Sequence, residues 1–114
     1  MHENCIFCKI VKGDIPAKKV YESAEVLAFH DVSPQAPVHI LIIPKTHYAT
    51  LNDMEDCSNL TGCLTSAATR IAKTAGFDQA GYRTVINCNA DGGQAVYHVH
   101  MHLLAGRKLS WPPG

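Results

Sequence analysis

Three histidines fall within five residues in His98-Val99-His100-Met101-His102, and their alternation with apolar residues is the strongest chemical signal in the chain. Successive side chains of a strand point to opposite faces. An extended segment from His98 to about Ala105 therefore sets the three imidazoles on one face, about 6.6 Å apart, and turns Val99, Met101 and Leu103 into a core. A helix would scatter them, because residues i and i+2 do not share a helical face. Imidazole is a competent nucleophile toward phosphorus and the side chain best suited to trading protons near neutral pH. Three on one face can divide the roles of nucleophile, orienting group and proton donor. Closely spaced histidines also bind zinc or copper. Neighbours on one strand share an ion only if the strand bends, so at most one of the three is expected to be a ligand.

The elements that must hold these groups can be read from period and punctuation. Cys5 to Val11 reads as a short helix with Ile6, Phe7 and Ile10 on one face, stopped by Gly13 and Pro16. Val20-Tyr21 and Val26 to Phe29 read as two strands joined through Glu22-Ser23-Ala24-Glu25. The prolines of Ser33-Pro34-Gln35-Ala36-Pro37 stiffen a loop, and an apolar strand, His39 to Ile43, follows it and ends at Pro44. Ser58 to Ala75 is a long helix, with Leu60, Leu64, Ala67, Ala68 and Ile71 at helical spacing and Gly76 at its end. Tyr82 to Asn87 is a fourth strand, Asp91-Gly92-Gly93 a turn, and the histidine strand closes the chain's regular structure. The order helix, three strands, helix, two strands predicts an α+β fold, a five-stranded antiparallel sheet covered on one face by its helices.

The 114 residues suffice for one domain, 1–114, with a real core. Lysine plus arginine and aspartate plus glutamate both number 10, so the formal net charge is zero and the basic stripe of a nucleic-acid-tracking protein is missing. No apolar run approaches the roughly 20 residues of a membrane span. The start, Met1-His2-Glu3-Asn4, lacks the basic and apolar regions of a signal peptide. An odd number of cysteines, 5, with an adequate core fits reduced thiols or metal ligands in a cytoplasmic protein.

His98-Val99-His100-Met101-His102-Leu103-Leu104 resembles the histidine-triad (HIT) motif. Further stretches resemble the same family: Ala28-Phe29-His30-Asp31-Val32-Ser33-Pro34-Gln35-Ala36-Pro37-Val38-His39, Ile43-Pro44-Lys45-Thr46-His47, Asp91-Gly92-Gly93-Gln94 and Trp111-Pro112-Pro113-Gly114. The likeness is greatest to the histidine triad nucleotide-binding proteins, the branch that hydrolyses purine nucleoside phosphoramidates. It implies a homodimer in which two five-stranded sheets join into one of ten strands. It implies His100 as the nucleophile on the α-phosphorus of a purine nucleoside monophosphate joined to an amine or acyl group. His102 would serve the phosphate and leaving group, with His98 and His39 in support. Asp31 matches the group that holds the ribose hydroxyls, and Ile6, Phe7, Ile10, Ile15, Phe29 and Val32 match the walls of the purine pocket. Asn87, Gly93, Gln94 and Ala95 match positions around the phosphate, where backbone amides of the Gly-Gly turn are expected to act as donors. The tail with Trp111 matches the place where dimer mates approach each other's sites. No metal is expected in the chemistry.

Two departures qualify the likeness. The phosphoramidate hydrolases usually carry serine where this chain has Ala95; losing a hydrogen bond to a charged group costs about 1.5–3 kcal/mol, which implies a slower or differently selective enzyme. A nucleotide- or zinc-binding regulatory protein with weak catalysis is thus one alternative, and a dinucleoside polyphosphate hydrolase another, though the Trp-Pro-Pro-Gly tail belongs to the phosphoramidase branch. The second departure is Cys5-Ile6-Phe7-Cys8, a pair carried by several microbial relatives and not by animal ones. In those relatives such a pair binds zinc with two histidines, which match His47 and His98 here. Four ligands, Cys5, Cys8, His47 and His98, would make a closed, structural zinc site. Cys57, Cys63 and Cys88 read as incidental thiols.

Overall fold

A computed structural model describes residues 2–114. The first helix, α1 (Ile6–Lys12), begins where the Cys5 sulfur accepts the Cys8 amide at 3.3 Å. It ends at Gly13, whose left-handed φ of 85° lets its N–H return to the carbonyls of Lys9 and Ile10. Lys9 and Lys12 sit in the last turn, where positive charge suits the helix dipole. Strands β1 (Lys19–Glu22), β2 (Val26–His30) and β3 (Val38–Pro44) follow, then a 3-10 turn at Leu51–Met54. The long helix α2 (Ser58–Ala75) occupies the predicted span. Strand β4 (Tyr82–Ile86), a single helical turn α3 (Asn89–Gly92) and strand β5 (Met101–Ala105) complete the order.

All five strands are antiparallel neighbours in the order β1-β2-β3-β5-β4. The sheet is covered on both faces rather than one. Val26, Ala28, Ile40, Ile42, Met101 and Leu103 point to α2 and meet Leu64, Ala67, Ala68 and Ile71. The alternate residues Leu27, Phe29, Leu41 and Ile43 are just as apolar and need their own cover, which Phe7 and Ile10 of α1 provide. The histidines lie on the α1 face, so the short helix closes one side of the site.

The last strand is shorter than predicted: its ladder begins at Met101, and His98 to His100 lead into it from a bend at His98. The cause is Pro44. In the β3–β5 register Ile42 faces Met101, so the next pairs would reach Pro44, which has no N–H to give. The Val99 amide goes to the Tyr48 carbonyl instead, at 2.7 Å. The predicted turn at Asp91-Gly92-Gly93 is also different, being the end of α3 and its cap at Gly93.

Candidate active site

His98 is fully buried, and its ring nitrogens have distinct partners. Nε2 lies 2.8 Å from the Pro44 carbonyl, which can only accept, so the proton is on Nε2 and Nδ1 keeps a lone pair. Burial pushes its pKa down to about 4, partly offset by that hydrogen bond. Its free Nδ1 faces Cys5 Sγ at 3.3 Å, Cys8 Sγ at 3.6 Å and His47 Nδ1 at 3.2 Å. His47 Nδ1 in turn lies 3.4 Å from Cys8 Sγ. The chemistry of this donor set suits a tetrahedral zinc, whose bond lengths place nitrogens about 3.3 Å apart and a sulfur about 3.6 Å from a nitrogen. The outward N–H on a carbonyl is also what metal-bound histidines use to fix their orientation. Burial, reinforced by the neighbouring Cys5, pushes the Cys8 thiol up to about 11. Burial holds His47 below the ordinary imidazole value, and His2 stacks on it at 3.7 Å.

His100 is turned by the backbone of His98. Its Nδ1–H donates to the His98 carbonyl at 2.8 Å, so Nε2 carries the lone pair. The ring is buried against the edge of Phe7, with centroids 5.1 Å apart, and stands 4.9 Å from His102.

His102 is governed from β3. The Gln35 amide donates to His39 Nδ1 at 2.9 Å, and a backbone amide has only a proton to offer. The proton of neutral His39 is therefore on Nε2, which lies 2.9 Å from His102 Nδ1 and 3.4 Å from the Asp31 carboxylate. His102 Nδ1 accepts, leaving its proton on Nε2. Burial, with His100 and His39 beside it, holds the His102 pKa at about 4. Burial likewise lowers His39, with Asp31 pulling the other way. In these tautomers the pair His100 and His102 presents one nitrogen lone pair and one N–H.

The other expected residues divide. Phe7, Ile10 and Phe29 are buried in the α1-side core and Ile15 packs against it, whereas Ile6 is half exposed and Val32 almost wholly so. Asp31 accepts the Ser33 amide through its other oxygen at 2.7 Å. Asn87 is partly buried between β4 and α3, and Ala95 is exposed. The Gly-Gly donors are a correction. The Gly93 amide caps α3 on Ala90, and the Gln94 amide is held by Asn89, so neither is free for phosphate. The Gln94 side chain is committed too, donating to the Ala49 and Val96 carbonyls at 2.8 and 3.0 Å and accepting from Asn89 at 2.9 Å. A cavity of about 690 Å³ lies outside the cysteines, lined by His2, Cys8, Lys9, Lys45 and His47, but no histidine of the triad lines it. Cys57 and Cys63 pack beside the α2-side core, and Cys88 is partly buried.

Sequence reasoning missed the Pro44 and His98 carbonyls, the Gln35 amide and the His2 stack. The first three are backbone groups, which leave no mark in residue identity.

A five-stranded sheet with three such histidines on one face is the arrangement of the HIT domain, and the HIT domain family matches residues 12–109. The chain belongs to that family. It is 52% identical over its whole length to an uncharacterized HIT-like protein of Synechococcus elongatus, itself fully covered. It is 47% identical to the purine nucleoside phosphoramidase of Escherichia coli over 96% of this chain and 92% of that one. Among solved structures, a HIT family hydrolase from Legionella pneumophila superposes with a TM-score of 0.95 at 53% identity, covering 97% of this chain and all of the other.

Proposed function

We propose that the protein hydrolyses purine nucleoside 5′-phosphoramidates and acyl-nucleotidylates. The carrying observation is that His100, its Nδ1 bound to a carbonyl and its Nε2 lone pair free, stands with its ring 4.9 Å from that of His102, whose proton is on Nε2. His100 Nε2 attacks the α-phosphorus, and the bond to the amine or acyl group breaks. A leaving amine takes the His102 Nε2 proton, which makes it a far better leaving group. A nucleotidyl-histidine remains. Water then attacks phosphorus, gives a proton back to His102 and frees the nucleoside monophosphate and His100. Fixing the nucleophile beside the substrate removes the entropy of a bimolecular encounter. Asp31 holds the ribose, while Ile6 and Val32, exposed beside the apolar core of Phe7, Ile10, Ile15 and Phe29, flank the purine. The relationship to the E. coli phosphoramidase supports the substrate class.

Cys5, Cys8, His47 and His98 hold a structural zinc in this reading. The ion, when bound, ties the start of α1 to the approach of the histidine strand, and it takes no part in the reaction. The protein acts as a homodimer in the cytoplasm. Its sheet has two open edges, and β1 is the defended one, with a register break between Lys19 and Tyr21 and charged Lys19 and Glu22. Strand β4 pairs without a break, and its one charged residue, Arg83, bonds back to the Leu109 and Ser110 carbonyls. β4 is therefore the edge that joins two sheets into ten strands. Among the described residues no helix is long and apolar enough to cross a membrane.

The test is single-turnover mixing with a fluorogenic adenosine 5′-phosphoramidate, with and without a chelator. Release of amine that survives chelation and disappears in His100→Ala supports the reading. Tight nucleotide binding without release, at any enzyme concentration, overturns it.

A further inference from the structure

The proton on His102 has an origin well outside the site. His102 Nδ1 is an acceptor because His39 gives it Nε2–H, and His39 does so because the Gln35 amide occupies its Nδ1. Gln35 lies at the exposed crest of the Ser33–Pro37 loop, and an exposed loop holds an amide on a ring nitrogen only if something holds the loop. Two contacts from the C-terminal side do so. The Arg107 guanidinium donates to the Gln35 carbonyl at 3.1 Å, across 72 residues of chain. Beside it Gly106 lies so near that an added Cβ would fall 2.7 Å from Pro37 Cβ, and its φ of +93° belongs to glycine. From within, Gln35 Nε2 donates to the Ser33 carbonyl, and the Ser33 amide donates to Asp31.

We propose that Arg107, seated on the loop by the close approach of Gly106 to Pro37, is a positioning residue. It holds the Gln35 amide on His39 and thereby fixes the His102 proton on Nε2, the nitrogen left free of His39. It touches neither substrate nor the reacting atoms. The inference rests on the reading of His102 as proton donor to the leaving group, but its geometry does not.

The consequence of losing the clamp is specific. With the Gln35 amide withdrawn, His39 can carry its proton on Nδ1, and its bare Nε2 then calls for an N–H from His102. The His102 proton moves to Nδ1, and Nε2 faces the leaving group as a lone pair. The rate follows the fraction of His102 that keeps its proton on Nε2, so equal sharing between two tautomers lowers kcat by about twofold, while nucleotide contacts and KM are unchanged.

The experiment is ¹⁵N NMR of the imidazole rings at neutral pH in wild type, Arg107→Ala and Gly106→Ala, alongside kcat and KM. In the wild type, the Nδ1 and Nε2 signals of His39 and His102 lie at the unprotonated and protonated ends of the range. In Arg107→Ala all four move toward the tautomer-averaged middle, and kcat falls with KM little changed. Gly106→Ala, which must push Pro37 aside, does the same more strongly. Fixed wild-type tautomers in Arg107→Ala overturn the proposal, as does averaging that leaves kcat unchanged. The ring signals need no substrate, so an absence of hydrolysis by the wild type would instead strike the reaction assigned to the site.

Discussion

Replacing Gln94 with leucine separates a scaffold role from a ligand role for this residue. The side chain is 7% exposed and makes three hydrogen bonds, all to main chain: to Ala49 after β3, to Val96 before the triad, and from Asn89 at the start of α3. Leucine keeps the branch and roughly the volume but leaves two carbonyls and an amide without partners. Each such bond is worth about 0.5–1.5 kcal/mol net, which brackets the loss between about 1.5 and 4.5 kcal/mol. Asn89 is exposed and Ala49 and Val96 only partly buried, so water recovers some of it and the expected loss is about 2–3 kcal/mol. For a chain of 114 residues that is a fall in Tm of about 10 °C. Urea unfolding followed by far-ultraviolet circular dichroism, at one fixed protein concentration, measures it. Stability within 0.5 kcal/mol of wild type, with nucleoside monophosphate binding lost, would refute the reasoning and return Gln94 to the phosphate.

Acid should loosen the fold through His102. Its folded pKa of about 4 lies below the ordinary value of about 6.5, so the unfolded chain binds the extra proton; this contribution is present above about pH 6.5 and lost as pH falls through about 4. Tm should therefore drop between pH 7 and pH 4, less steeply in His102→Gln, and an identical slope in the variant would count against it. The Cys8 thiol, pushed up to about 11, is protonated at pH 7 without metal, so zinc added to stripped protein should release protons, seen as a buffer-dependent binding heat. Buffer-independent heat would argue against thiolate ligation. Leu103→Ala removes a fully buried side chain facing α2 and should cost about 2–5 kcal/mol in urea unfolding; a loss below 1 kcal/mol would mean the sheet closes over the gap.

What could be read in the sequence was what depends on side-chain period. Leu60, Leu64, Ala67, Ala68 and Ile71 mark α2 because a helix returns the same face every 3.6 residues, and its observed span is the predicted one. The alternation around His100 places the imidazoles opposite Val99, Met101 and Leu103, and that division holds even where the strand ladder has stopped. The second covered face was legible in principle, since an unbroken run such as Ile40 to Ile43 has no polar side to leave in water. The protonation of the site was not. Which nitrogen of His98, His100 or His39 carries a proton is decided by carbonyls of Pro44 and His98 and by the amide of Gln35. Every residue owns such groups, and only the path of the chain selects these. The Gly92-Gly93 expectation failed for the same reason: a glycine pair permits a donor pocket, but the amides had been taken by α3.

His98 belongs to two neighbourhoods through two different parts of itself. Its imidazole faces the cysteines, and its carbonyl receives His100. The first duty depends on which amino acid stands at the position; the second does not, because any residue of the same bulk on the same path would offer that oxygen. The metal clasp and the anchor of His100 can therefore be inherited separately. A lineage that lost Cys5 and Cys8 would leave the imidazole without its thiol partners and the oxygen with its work unchanged. Retention of histidine here would then trace the history of the metal, while the shape of the main chain around Pro44 and Tyr48 would trace that of the reaction.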